Sequence, residues 1–115
     1  MNGGGELHLS NVHQIHAFAR IIQPKLAVEA LAALTQGPRR WSELVHVLTV
    51  ASGKAIHNRT LSETLHRLQD NGIIEHQMID DDGAVYRLTR EGHELVQVLD
   101  EIAGWAERHR DTLGF

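Results

Sequence analysis

Apolar residues recur from Ser10 onward as Val12, Ile15, Ala19 and Ile22. This three- and four-residue spacing gives a helix one oily face, with Ser10 as the candidate N-cap. Pro24 interrupts the pattern and suits the first turn of a second helix. Between Leu26 and Leu34 every residue except Glu29 is apolar, which predicts a helix in the middle of the fold. Gly37-Pro38 stops it, and Ser42 is the candidate cap of a short third helix. That helix turns Leu44, Val45, Val47 and Leu48 inward and Glu43 and His46 outward. Residues 49–57, with Ser52-Gly53-Lys54, read as a loop. A fourth helix begins near Asn58 and buries Leu61, Leu65 and Leu68. It ends at Asn71-Gly72, where glycine is free to take a positive φ.

The period then changes from helical to alternating. Residues 73–79 and 84–88 are strand-like, and Asp80-Asp81-Asp82-Gly83 between them predicts a hairpin. Thr89 caps a last helix that could run to about residue 112, roughly 33 Å at 1.5 Å per residue. Its apolar residues, Leu95 to Ala106, cover more than one stripe. One stripe serves the domain's own core, and the other requires a second surface. The order of helix, helix, short helix, loop, short helix, hairpin and long helix predicts a mostly α fold with a small β-hairpin wing. This is a winged helix-turn-helix with further helices at both ends. Gly3, Gly4 and Gly5 make residues 1–9 a flexible lead-in to one domain over 10–115.

Composition first argues against nucleic acid. The chain has 115 residues, 11 Lys plus Arg against 15 Asp plus Glu, and a net charge of −4. A generic polyanion binder is usually basic. Divided by segment, however, residues 1–38 sum to zero, 39–67 to +3 and 68–115 to −7. The positive charge therefore coincides with the helix-turn-helix, where phosphate attraction is needed. There is no Cys, which excludes disulfides, thiolate metal sites and thiol catalysis. No apolar run approaches a membrane span, and the first residues lack a signal-peptide pattern, so a cytoplasmic location is expected.

Three stretches carry a family resemblance. Residues 34–44 hold Gly37-Pro38, then the basic Arg39 and Arg40, the aromatic Trp41 and the helix-starting Glu43-Leu44. Thr60-Leu61-Ser62 leads to Leu65, Leu68 and Asn71-Gly72-Ile73-Ile74. Tyr86-Arg87-Leu88-Thr89 is followed by Gly92, and Trp105 comes late. In this order the chain resembles the HxlR-type regulators over about residues 24–110. The resemblance implies a homodimeric transcription factor that pairs through its first and last helices. Many such proteins sense oxidants through an N-terminal Cys, an input excluded here. The acidic Asp80, Asp81 and Asp82 stand where a DNA-contacting wing would carry Arg or Lys.

With Leu61, Leu65 and Leu68 inward, the recognition helix (about 58–70) leaves Arg59, Thr60, Ser62, Glu63, His66 and Arg67 outside. Arg can read guanine, Glu can accept from cytosine N4, and Asn58 or Thr60 can reach bases or phosphate. Arg39 and Arg40 suit phosphates, as does Arg87 at the wing's base. The expected partner is double-stranded DNA with an inverted-repeat operator. His57 and His66 flank the recognition helix, and imidazole protonation there adds positive charge. Binding is therefore expected to be tighter at pH 6 than at pH 8, and equal affinity at matched salt would refute this.

Trp41 and Trp105 are candidates for lining a small-molecule effector pocket, with core packing as the alternative. Val12, Ile15, Ile22, Leu99, Ile102, Trp105 and Ala106 are the expected dimer interface. His13 and His16, with Arg20, read as a polar stripe opposite the oily one, even with His8, Glu107 and His109 in reach. No metal or other cofactor is expected. No Ser, His or Asp sits in a catalytic context, so an enzyme is not expected. A second reading stays open: a winged-helix dimer that has lost DNA and binds a small ligand or protein partner.

Overall fold

The apolar runs close on one another in the computed structural model, which describes residues 5–81 and 83–114. Residues 1–4 of the expected lead-in, and Asp82 of the wing, lie outside the described residues. The helices are α1 (Val12–Ile22), α2 (Ala27–Leu34), α3 (Trp41–Ser52), α4 (Asn58–Asp70), α5 (Arg90–Arg108) and α6 (Arg110–Leu113), with strands β1 (Ile74–Asp80) and β2 (Gly83–Leu88) between α4 and α5. The chain is a mostly helical winged helix-turn-helix.

The centre is α2, whose Ala27, Ala30, Leu31, Ala33 and Leu34 are all buried. Its small side chains let α3 and α4 come close and present Leu44, Leu48, Leu61, Leu65 and Leu68 to one core. The hairpin closes the core with Ile73, Ile74, Tyr86 and Leu88. A third, one-residue strand joins it: the Arg39 N–H donates to the Tyr86 carbonyl at 2.9 Å, and the Tyr86 N–H donates back at 2.8 Å.

Element boundaries follow local chemistry, and several differ from expectation. A 3-10 turn at Leu9–Asn11 precedes α1, so Asn11 rather than Ser10 occupies the N-cap. Pro24 opens a turn that accepts the Ala27 N–H, one step before α2 rather than inside it. The cap of α3 is Arg40, not Ser42, because the Glu43 carboxylate accepts the Arg40 backbone N–H at 2.7 Å. Thr49, Val50 and Ala51 continue that helix until Gly53 takes φ 72°, so the loop shrinks from the expected 49–57 to 53–57. The end of α4 is as expected. Gly72 has φ 74°, with Ile73 N–H on the Leu68 carbonyl and Gly72 N–H on that of Gln69. Asp80 pairs with Gly83, so Gly83 belongs to β2 rather than to the turn, and the register slips between Met78 and Asp80. The last helix breaks at His109 (φ −116°), whose Nδ1 lies 2.8 Å from the Trp105 carbonyl. The imidazole occupies an acceptor that the helix would otherwise give to a backbone N–H.

The junction of wing and last helix is held by close contacts. Thr89 Oγ1 accepts the Gly92 N–H at 3.0 Å and donates to the Gly72 carbonyl at 2.6 Å. This pulls the start of α5 onto the end of α4. A Cβ on Gly92 would lie 2.1 Å from the Ile73 carbonyl oxygen, so only glycine fits.

The two end helices extend from this head. No residue of α1 is fully buried, and in α5 only Gly92 is. The radius of gyration is 16.0 Å, against about 13 Å for a compact domain of this length.

Candidate nucleic-acid interface

The face of α4 opposite its leucines is open. Asn58, Arg59, Glu63, His66 and Arg67 are exposed, while Thr60 and Ser62 are half-buried at its edges. Leu61, Thr64, Leu65 and Leu68 hold the other face in the core. Arg59 Nε lies 3.2 Å from Glu63 Oε2, with the arginine side chain 90% exposed. An exposed i,i+4 pair contributes only about 0.3–0.5 kcal/mol, so both groups can re-pair with a ligand at little cost. Thr64, absent from the sequence expectation, is 3% exposed, and its hydroxyl donates to the Lys25 carbonyl at 2.6 Å. A groove of about 590 Å³ beside the helix is lined by Lys25, Thr60, Glu63, Thr64, His66 and Arg67.

The other expected cations are engaged inside the fold. Arg39 Nε donates to the Ala33 carbonyl at 2.7 Å, and its Nη2 to Gln36 Oε1 at 3.2 Å, closing the end of α2. Arg40 Nη2 lies 3.6 Å from Asp80 Oδ1, so the acidic wing tip leans on the start of α3. Arg87 is exposed at the wing, with Nη1 donating to Gln77 Oε1 at 2.7 Å. No spacing rule could foresee the partners of Arg40 and Arg87, which lie across the fold and on the adjacent strand, whereas Arg39 turns back on residues three and six before it. Tyr86 stacks on His76 with ring centroids 4.0 Å apart, and burial raises its phenol above the ordinary pKa.

The two tryptophans stand in different surroundings. Trp41 packs against the core, whereas Trp105 is 49% exposed and stacks on His109 at 4.5 Å. An apolar groove of about 800 Å³ instead runs between α2 and α5, lined among others by Val28, Leu31, Ala32, Val96 and Leu99. The apolar residues of α5 divide into two stripes, and Leu99, expected at the dimer interface, falls on the inner one. Leu95, Val96 and Leu99 meet the core, while Val98, Ile102 and Trp105 face outward. Ile15 on α1 is also exposed, and Val12, Ile22 and Ala106 are half-buried. His8, His13, His16 and His109 are exposed, and among the described residues no helix is long and apolar enough to cross a membrane.

The family model described as HxlR-like helix-turn-helix matches residues 21–113. The HTH-type transcriptional regulator YodB of Bacillus subtilis is 31% identical over 77 residues, covering 65% of this chain and 64% of YodB. The HTH-type regulator MJ0925 of Methanocaldococcus jannaschii is 24% identical over 92 residues, covering 80% and 81% of the two chains. Among solved structures, a MarR-family transcriptional regulator of Enterococcus faecalis superposes with a TM-score of 0.80 at 22% identity, covering 95% of this chain and 96% of that one. Diamide-treated YodB superposes with a TM-score of 0.71 at 25% identity, covering 88% and 96%.

Proposed function

Because the chain belongs to the HxlR-like helix-turn-helix family, and is a winged-helix transcriptional regulator rather than an enzyme, we propose that it acts as a cytoplasmic homodimer docking α4 in the major groove of double-stranded DNA. The observation that carries this reading is the open face of α4. Arg59, Glu63, His66 and Arg67 are held out by a helix whose other side is fixed in the core. Arg59 reads a guanine edge, Glu63 a cytosine amine, and Asn58, Thr60 and Ser62 complete the contact. Arg87 meets phosphate from the wing. Arg39 and Arg40 act indirectly, by fixing the end of α2 and the wing tip.

Two copies related by a two-fold axis place their recognition helices about 34 Å apart, which suits an inverted repeat. The exposed stripe of Val98, Ile102 and Trp105, with Ile15 and its neighbours on α1, supports pairing through these helices. Ile102→Glu is expected to give a monomer in sedimentation with the helical spectrum retained, and an unchanged dimer mass would remove this interface. A small-molecule effector is assigned to the groove between α2 and α5 rather than to the tryptophans.

The acidic wing favours a second reading, in which the dimer is kept and binds a small ligand or protein partner instead of DNA. Titration with DNA upstream of the protein's own reading frame separates the two. Salt-dependent binding supports the first, and its absence at low salt leaves the second.

A further inference from the structure

Lys25 belongs by sequence to a segment of zero net charge, yet the fold brings it to the recognition helix. The Pro24–Lys25 turn is tied to α4 by the hydrogen bond from the buried Thr64 hydroxyl to the Lys25 carbonyl, 2.6 Å long. Leu26, the next residue, is the one non-glycine among the described residues with a positive φ, 74°. Side-chain sterics disfavour this conformation, so the surrounding packing must hold the turn in place. The result is a groove of about 590 Å³ between the turn and α4. Lys25 and Arg67 both line it, and among the described residues neither side chain has an ion-pair partner. Glu63 is the one carboxylate among the described residues lining the groove, and it pairs with Arg59.

The position of this groove matters more than its size. A helix with its side chains is about 10–12 Å across and the major groove about 12 Å wide, so a docked helix has phosphate walls along its flanks. Thr60 and Arg67 lie on the flank of α4 that faces the Pro24–Lys25 turn. We infer that Lys25 and Arg67 together seat one backbone phosphate of the DNA, at the edge of the groove that α4 enters. The seat rests on the DNA-binding reading and adds a contact from outside the helix-turn-helix. It positions the recognition helix and reads no base.

The test measures affinity by fluorescence anisotropy between 50 and 200 mM salt, for operator and scrambled duplexes, with wild type, Lys25→Gln and Lys25→Arg. Each neutralised phosphate contributes about 0.9 to the slope of log affinity against log salt. Losing one per subunit therefore lowers the dimer's slope by about 2. Lys25→Gln is expected to show this loss and to weaken both duplexes by the same factor, while Lys25→Arg keeps the wild-type slope. Thermal melts and sedimentation confirm that each variant stays folded and dimeric. An unchanged slope in Lys25→Gln, or a loss confined to the operator duplex, overturns the phosphate seat and leaves the DNA reading intact. Absence of salt-dependent binding by wild type overturns both.

Discussion

Gly92→Ala is expected to destabilise the folded chain by about 3 kcal/mol, at the upper end of the cost of overpacking a tight contact. For 115 residues this lowers Tm by roughly 12 °C, compared at fixed protein concentration. The methyl group would arrive 2.1 Å from the Ile73 carbonyl oxygen and 3.2 Å from a methyl of Leu88. The obstacle is largely backbone, so no rotamer change relieves it. The start of α5 must move, and the hydrogen bonds through Thr89 move with it. Gly104 provides the comparison within the same helix. A Cβ there meets only the end of the Arg108 side chain, at 3.4 Å. Gly104→Ala should leave Tm unchanged or raise it, since alanine is favoured over glycine in a helix by up to about 1 kcal/mol. Equal melting of the two variants would show that the Gly92 contact is not tight.

Arg59→Ala combined with Arg67→Ala is expected to abolish specific binding while leaving the fold intact. An arginine reading a guanine edge contributes about 1–3 kcal/mol of discrimination, and two-fold symmetry doubles this. The loss from Arg59 alone is then roughly 30-fold to 10⁴-fold in affinity for the operator. Its removal also leaves Glu63 without its 3.2 Å partner on the proposed DNA-facing surface. Loss of Arg67 adds a sequence-independent decrease that grows as salt is lowered. Both side chains are exposed, so the melting temperature should hardly change. Retained operator binding with a normal melt would mean that α4 is not the reading element.

What the sequence revealed and what it concealed divide along a physical line. Leu61, Leu65 and Leu68 marked the inner face of α4 because helical periodicity is a local property. The same holds for Gly72 at the end of α4 and for Thr89 at the start of α5. Contacts between distant residues left no such trace. Arg40 has the look of a free cation in the sequence, yet it leans on Asp80 of the wing. Lys25 looked neutral in context because its neighbours in space are not its neighbours in the chain. Gly92 was visible as part of a motif, but its reason, a carbonyl from the preceding junction, appeared only in three dimensions. Ser52-Gly53-Lys54 carries turn chemistry that suggests a longer loop after α3, whereas Thr49 to Ala51 continue the helix up to Gly53.

The uneven placement of the aromatic residues has an optical consequence. The chain has two tryptophans and one tyrosine. Trp41 lies against the core of the head, Trp105 stands half-exposed on α5 beside His109, and Tyr86 is buried in the wing against His76. Each region therefore carries its own native chromophore. If a second subunit covers α5, as proposed, the Trp105 emission shifts to the blue while Trp41 reports on the integrity of the head. Assembly and unfolding are thereby separable by fluorescence without an attached dye.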